Sequence, residues 1–222
     1  MTAAGPAVAG VVLAAGRSER FAGAPSKLVA ELAGEPLVRR VVLAALGSRL
    51  RQVLVVLGHA AAEVRRALAG LAVEWVDNPD YAAGQSTSVR AGMARVAPSM
   101  RAAMVLPGDQ PLVSSALVDR LIAAYVETSG PIVRPCAGGR PGTPVLWDRS
   151  LFPELAVLVG DAGGRQVMER HAGEVLEVEI EDPLALADVD TVADLRRLEG
   201  VAGGWRSARQ PGRRLRRELA GS

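Results

Sequence analysis

Two loops carry the residue types that phosphate chemistry needs. The first reads Leu13-Ala14-Ala15-Gly16-Arg17-Ser18-Glu19-Arg20 and closes at Ser26-Lys27. It fits neither GxGxxG nor GxxxxGK(S/T). Its small residues let the backbone approach an anion closely, and successive N–H groups can cradle phosphate oxygens. Arg17, Arg20 and Lys27 supply cations. Taken alone, the segment is either such a cradle or an ordinary polar loop after a strand. The second loop is Leu106-Pro107-Gly108-Asp109-Gln110-Pro111. Mg²⁺ characteristically takes one or two protein carboxylates and completes its shell with water and phosphate, which a lone Asp109 on a tight turn would satisfy. Asp109 can equally be a turn residue bonded to its own backbone. Of the 26 basic residues, Lys27 is the single lysine. An ammonium is a mobile point charge and a guanidinium a planar fork, so the exception asks for a reason.

Both loops follow apolar runs, so strands must position them. Val8–Ala14 is a short continuous apolar run, the pattern of a strand covered on both faces. Gln52–Leu57, Val73–Val76 and Ala102–Leu106 read as further strands. Pro36–Leu46, Ala60–Leu68, Ser86–Val96 and Ser114–Val126 read as the intervening helices. Pro36 is expected in a first turn, where its missing N–H costs nothing. Gln85 or Ser86 is expected to cap the third helix and Ser114 the fourth. This alternation predicts an α/β fold, a mostly parallel Rossmann-like sheet with helices on both faces. Ligands of such sheets bind past the carboxyl ends of the strands. Both loops fall there, as does the stretch from the turn Asn78-Pro79-Asp80 to Gln85.

The pattern changes after residue 126. Pro131–Arg134 and Thr143–Trp147 flank Gly138-Gly139-Arg140-Pro141-Gly142, which predicts a small β-hairpin or flap insertion. Gly163–His171 reads as a short helix and Val175–Ile180 as a strand. Thr191–Glu199 reads as a closing helix with Asp190 as its cap. One domain over residues 1–200 is expected, followed by an Arg-rich disordered tail at 201–222.

Composition narrows the classes. With 49% hydrophobic residues the chain can bury a sizeable core. No apolar run is long enough for a transmembrane helix. The start, MTAAGPAVAGVVLAAG, lacks a charged n-region, so no signal peptide is expected. The single cysteine, Cys136, fits a reducing cytoplasm, and two histidines leave little for a His-based metal site. The net charge of +2 first points to nucleic acid. The net positive charge, however, lies in the tail, and the first 200 residues are mildly acidic. The tail either meets RNA or an acidic partner or is a solvated end, and its composition favours the solvated end. No partner in a membrane is expected.

The motifs are specific. Residues 13–20, LAAGRSER, with Lys27 behind them, match LAAGxSxR followed by a Lys, the opening signature of the Rossmann-like nucleotidyltransferase superfamily. Further segments occur in family order: DNPDYAAGQSTSVRAGM (77–93), LPGDQPLV (106–113), GRPGTPVLW (139–147), GDAGGR (160–165) and DVDTVADL (188–195). Within the superfamily the chain most resembles the molybdenum cofactor cytidylyltransferases. It departs from them at Phe21-Ala22-Gly23-Ala24-Pro25, where relatives carry Met-Gly and a shorter spacer.

The resemblance implies a nucleotide-binding half over residues 8–126 and an acceptor-binding half over 127–200. The reaction it implies is transfer of CMP from CTP to a phosphorylated acceptor, molybdopterin above all, with release of pyrophosphate. An acceptor phosphate is already anionic, so no general base is required. Lys27 would contact the α-phosphate, Arg17 the leaving phosphates, and Asp109 a Mg²⁺ ion. Asp190 would be a second metal ligand, or the helix cap alone; Asp188 is a weaker candidate. Leu13, Ala14, Ala15, Gly16, Gly84, Gln85, Ser86 and Ser88 would seat the nucleotide. Relatives that use GTP carry a second Gly at Ala15, so the methyl there favours CTP over GTP. Arg140 and Arg165 would pair with the acceptor's terminal phosphate, or are surface arginines. A molybdoenzyme or its chaperone is a further implied partner. Guanylyl transfer, another phosphorylated acceptor, and a non-catalytic accessory protein are the competing readings, and intact Lys27 and Asp109 argue against the last.

Overall fold

In a computed structural model of the protein, which describes residues 6–18, 21, 26–161 and 163–208, the run VAGVVLA is strand β1 (Val8–Ala14), buried along nearly all its length. Glu19, Arg20, the spacer 22–25 and the tail beyond 208 lie outside the described residues. After β1 come a small antiparallel pair, β2 (Glu31–Leu32) and β3 (Glu35–Pro36), then α1 (Leu37–Leu46). Three crossover units follow. They comprise β4 (Gln52–Leu57) and α2 (Ala61–Ala67), β5 (Glu74–Asp77) and α3 (Gln85–Met93), then β6 (Ala102–Pro107) and α4 (Ser115–Thr128). The second part holds β7 (Ile132–Ala137), β8 (Arg140–Pro141), β9 (Val145–Asp148), α5 (Phe152–Leu155), α6 (Arg165–Arg170), β10 (Val175–Glu179) and α7 (Val192–Ala208).

The main sheet has the order β10-β7-β9-β6-β1-β4-β5, with β8 on β7. β1 pairs in parallel with β4 and β6, β4 with β5, and β7 with β10. The chain moves outward from β1 through β4 to β5, then returns to place β6 on the other side. The carboxyl ends of β1 and β6 are therefore the switch point, where loops diverge and leave a crevice. α1 buries Leu37, Val38, Val41, Val42 and Ala45, one stripe at helical spacing, and α4 buries Leu117, Val118, Leu121, Ile122 and Tyr125 on the same layer. α3 and α5 cover the opposite face with Val89, Met93 and Leu155.

Four expectations need correction. The hairpin is no separate flap: β9 sits inside the main sheet, antiparallel to both β6 and β7, because its residues Val145, Leu146 and Trp147 are apolar enough to be buried there. Only β8, on β7, remains as the projecting hairpin arm. Pro36 ends β3 and forms the N-cap rather than entering the first turn of α1. Neither Gln85 nor Ser86 caps α3; Gly84 does, at φ 109 and ψ 166. Finally, α7 runs through Ala208, so the boundary expected at residue 200 falls within a helix. Among the described residues, no helix is long and apolar enough to cross a membrane.

Candidate active site

The two predicted loops are tied together. Gly108 N–H donates to Leu13 O at 3.0 Å, so the loop after β6 starts against the loop after β1. A Cβ at residue 108 would stand 2.6 Å from Leu13 O, so this approach needs glycine. Ser18 Oγ accepts from Lys27 N at 3.1 Å and shares a hydrogen bond with Ser26 Oγ at 3.3 Å. Ser26, fully buried, caps the short 3₁₀ turn Lys27–Val29 by accepting from Leu28 N. These contacts hold Ser18 against the Ser26–Lys27 step and set the start of the Lys27 side chain.

Lys27 ends between two carboxylates. Its Nζ lies 2.7 Å from Asp109 Oδ2 and 2.6 Å from Asp190 Oδ1. The side chains are 14%, 22% and 29% exposed for Lys27, Asp109 and Asp190, so the trio is sheltered yet open to a ligand. Burial by itself would lower the Lys27 pKa. The attraction and hydrogen bonds of Asp109 and Asp190 outweigh that and hold it above its ordinary value, so the ammonium stays charged at neutral pH.

The sequence allows Asp190 as a helix cap or a ligand, and the structure gives the cap to the next residue. Thr191 Oγ1 accepts from Asp194 N at 3.2 Å, while Asp194 Oδ2 accepts from Thr191 N at 2.9 Å and Thr191 Oγ1 at 2.7 Å. This reciprocal capping box makes Thr191 the cap and leaves the Asp190 carboxylate to Lys27. The backbone N–H of Asp190 also donates to Asp194 Oδ2, at 3.3 Å. A further bond, from Val189 N to Asp109 O at 3.0 Å, brings the segment before α7 alongside the Asp109 loop.

The donor set suits a hard divalent cation. Asp109 and Asp190 offer carboxylate oxygens to one shared point, and that point already accommodates a positive charge. Among the described residues, no group of three or more His, Cys, Asp or Glu could hold a metal ion. A cation here would therefore take the rest of its shell from phosphate and water, as Mg²⁺ and its like do.

The trio lies in a cleft of about 410 Å³. Leu13, Ala15, Gly16, Arg17, Lys27, Gly84, Gln85, Ser88, Asp109 and Asp190 all line it. Ala14 and Ser86 do not. Ala14 is fully buried and packs into the core beneath the sheet, and the Ser86 hydroxyl is buried without a partner among the described residues. Arg140 and Arg165 are also absent from the lining. Arg140 is on the exposed β8, and Arg165, 77% exposed, pairs with Glu169 at 2.9 Å.

Three features escaped sequence reasoning. The start of α3 is capped from the second half of the chain: Gln85 N donates to Asp161 Oδ1 at 3.2 Å and Ser86 N to Gly160 O at 3.1 Å. Tyr81 and Asp161 line the cleft. Asn78, read only as a turn residue, is buried and donates from Nδ2 to Thr87 Oγ1 and Ser88 Oγ. The GDAGGR and DNPDYAAGQSTS segments were visible, but no local signal says that they touch.

The open sheet, with its site at the β1–β6 switch point, defines a Rossmann-like domain of the nucleotide-diphospho-sugar transferase type. More narrowly, the chain belongs to the MobA-like NTP transferase domain family, whose model matches residues 10–175. It is similar to the bifunctional protein GlmU of Halorhodospira halophila, 37% identical over 116 residues, which is 52% of this chain and 24% of that protein. The chain thus spans about a quarter of the length of these curated relatives. Among solved structures it is similar to Rv0371c of Mycobacterium tuberculosis H37Rv, 31% identical with a TM-score of 0.77, covering 89% of this chain and 100% of that one. A second Rv0371c structure, 32% identical with a TM-score of 0.73 over 87% and 98% of the chains, is a complex with manganese. A nucleotidyl transferase from Methanothermobacter thermautotroptrophicus, Mth528, is 25% identical with a TM-score of 0.76 over 88% and 97%.

Proposed function

We propose that the protein is a divalent-metal-dependent nucleotidyltransferase that moves CMP from CTP to a phosphorylated acceptor of the molybdopterin type. The observation that carries this reading is Lys27 held between Asp109 and Asp190 at the β1–β6 switch point. An oxygen of the acceptor phosphate forms a bond to the α-phosphorus as the bond to the β-phosphate oxygen breaks. Pyrophosphate leaves with that bonding pair. The nucleophile arrives as an anion, so the protein has to position charge rather than remove a proton. Lys27 exchanges its carboxylate partners for α-phosphate oxygens and follows the charge that develops there. Arg17, at the cleft wall, faces the leaving phosphates. Asp109 and Asp190 are the residues that would hold Mg²⁺, which neutralises and orients phosphate oxygens when bound.

CTP is favoured by Ala15. Ala15 is a buried residue of the cleft wall in a crowded corner, where a Cβ added at Gly58 would stand 2.8 Å from Ala15 Cβ. A larger purine would meet that methyl. Acceptor-dependent pyrophosphate release, measured with CTP and GTP and with molybdopterin cofactor as acceptor, tests the reading. Turnover with CTP and this acceptor supports it. Tight nucleotide binding with no release from any pair contradicts it.

A further inference from the structure

The contacts of Asn78 determine what Ser88 can offer to a ligand. Asn78 sits just past β5, is 95% buried, and is anchored by its own N–H donating to Leu57 O at 2.8 Å. Its Oδ1 accepts from Asp80 N at 3.0 Å, which fixes the orientation of the side-chain amide. The two Nδ2 hydrogens therefore point at α3, to Thr87 Oγ1 at 2.9 Å and Ser88 Oγ at 3.0 Å. A serine hydroxyl has one proton and two lone pairs. With Asn78 on a lone pair of Ser88, the proton needs an acceptor. In a helix that acceptor is ordinarily a carbonyl three or four residues back. Among the described residues Ser88 Oγ accepts from Asn78 and donates to neither, and the four-back carbonyl, Gly84 O, already accepts from Thr87 N at 3.2 Å and Thr87 Oγ1 at 2.8 Å. Both of its lone pairs are engaged. The Ser88 proton is left facing the cleft that Ser88 lines.

We propose that Asn78 is a positioning residue that fixes Ser88 as a hydrogen-bond donor to the nucleotide, so that the atom seated against it is an acceptor, a carbonyl oxygen or ring nitrogen of the base. This rests on the nucleotidyltransferase reading above. Ser88 makes the contact, and Asn78 acts through it without touching the ligand. An amino group placed against Ser88 would be rejected, because turning the second lone pair outward to accept from it would bury the hydroxyl proton without an acceptor.

A double-mutant cycle on CTP affinity, measured by titration calorimetry with Mg²⁺ present, tests this. Asn78→Asp keeps the acceptor for Asp80 N–H but replaces the donor with an oxygen, so the Ser88 proton turns inward. Asn78→Asp and Ser88→Ala should each weaken CTP about five- to tenfold, the scale of one neutral hydrogen bond. The double variant should be no weaker than Ser88→Ala, because Asn78 has nothing left to orient. A merely structural Asn78 would instead lower affinity by a factor that multiplies with that of Ser88→Ala, and this result overturns the proposal. If thermal melting shows Asn78→Asp unfolded, Asn78→Ala replaces it with a smaller loss and the same required coupling. Normal CTP binding by Ser88→Ala also overturns it, while leaving nucleotidyl transfer intact. If the folded wild type binds neither CTP nor GTP, the functional reading fails and takes the proposal with it.

Discussion

Lys27 Nζ stands 2.6 Å from Asp190 Oδ1, which joins residues 163 positions apart in the chain. With Asp109 on its other side, the ammonium occupies the point that the two carboxylates share. It neutralises two like charges that would otherwise repel in a sheltered cleft. In the proposed reaction it also follows charge on the α-phosphate, so ligand binding would move it from one anion set to the other. A flexible ammonium can make that exchange where a rigid guanidinium fork fits poorly.

Lys27→Ala should therefore lower kcat by roughly 10²–10³, the scale of removing one transition-state donor. Lys27→Arg should recover little of it. Steady-state pyrophosphate release checks both, and wild-type turnover in either variant contradicts the assigned role.

The same geometry predicts competition for the carboxylates. Lys27→Met removes the ammonium from between Asp109 and Asp190, so it should bind Mn²⁺ more tightly than wild type when no nucleotide is present. Asp109→Asn should bind it more weakly than wild type when nucleotide is present. Electron paramagnetic resonance counts free Mn²⁺ in each case. Equal affinities across the three proteins would move the metal site elsewhere.

Thr191→Val removes the hydroxyl that pairs with Asp194 in the capping box. It should cost about 1 kcal/mol of stability. Because the cap holds the backbone that presents Asp190, Mn²⁺ affinity should fall with it. Thermal melting and Mn²⁺ titration check the two effects separately. A loss of stability with unchanged Mn²⁺ affinity would detach Asp190 from the metal.

The strands were legible because continuous apolar runs have few other uses: Val8–Ala14 and Gln52–Leu57 are bounded in the structure as their residues predict. Lys27 and Asp109 were legible because each closes a loop after such a strand. Asp190 was only half legible. Asp190, Thr191 and Asp194 all suit a helix start, and their sequence cannot say which carboxylate turns toward Lys27. β9 was misread because a run of Val145, Leu146 and Trp147 beside a glycine-rich turn looks alike in a flap and in a sheet interior. The capping of α3 by Gly160 and Asp161 depends on two segments about 75 residues apart, and no local pattern records that contact.

A surface cluster gives the pH dependence its sign. His171 lies 2.7 Å from both Glu174 and Glu154, and bonding to Glu174 first and Glu154 next raises its pKa above the ordinary 6.5. Stability from the charged imidazole is fully present below the unfolded value and disappears as pH rises through the raised one. The melting-temperature gap between wild type and His171→Gln should be largest near about pH 5.5 and close by about pH 9. A gap that grows with pH would contradict this pairing.

The most direct test of the central claim follows the α-phosphate itself. CTP labelled at the α-position is incubated with the enzyme, Mg²⁺ and molybdopterin cofactor. Label should transfer to the acceptor in step with pyrophosphate release, and Lys27→Ala should slow both alike. Label recovered only as CMP or unreacted CTP, or transfer that does not respond to Lys27, would contradict nucleotidyl transfer at this site.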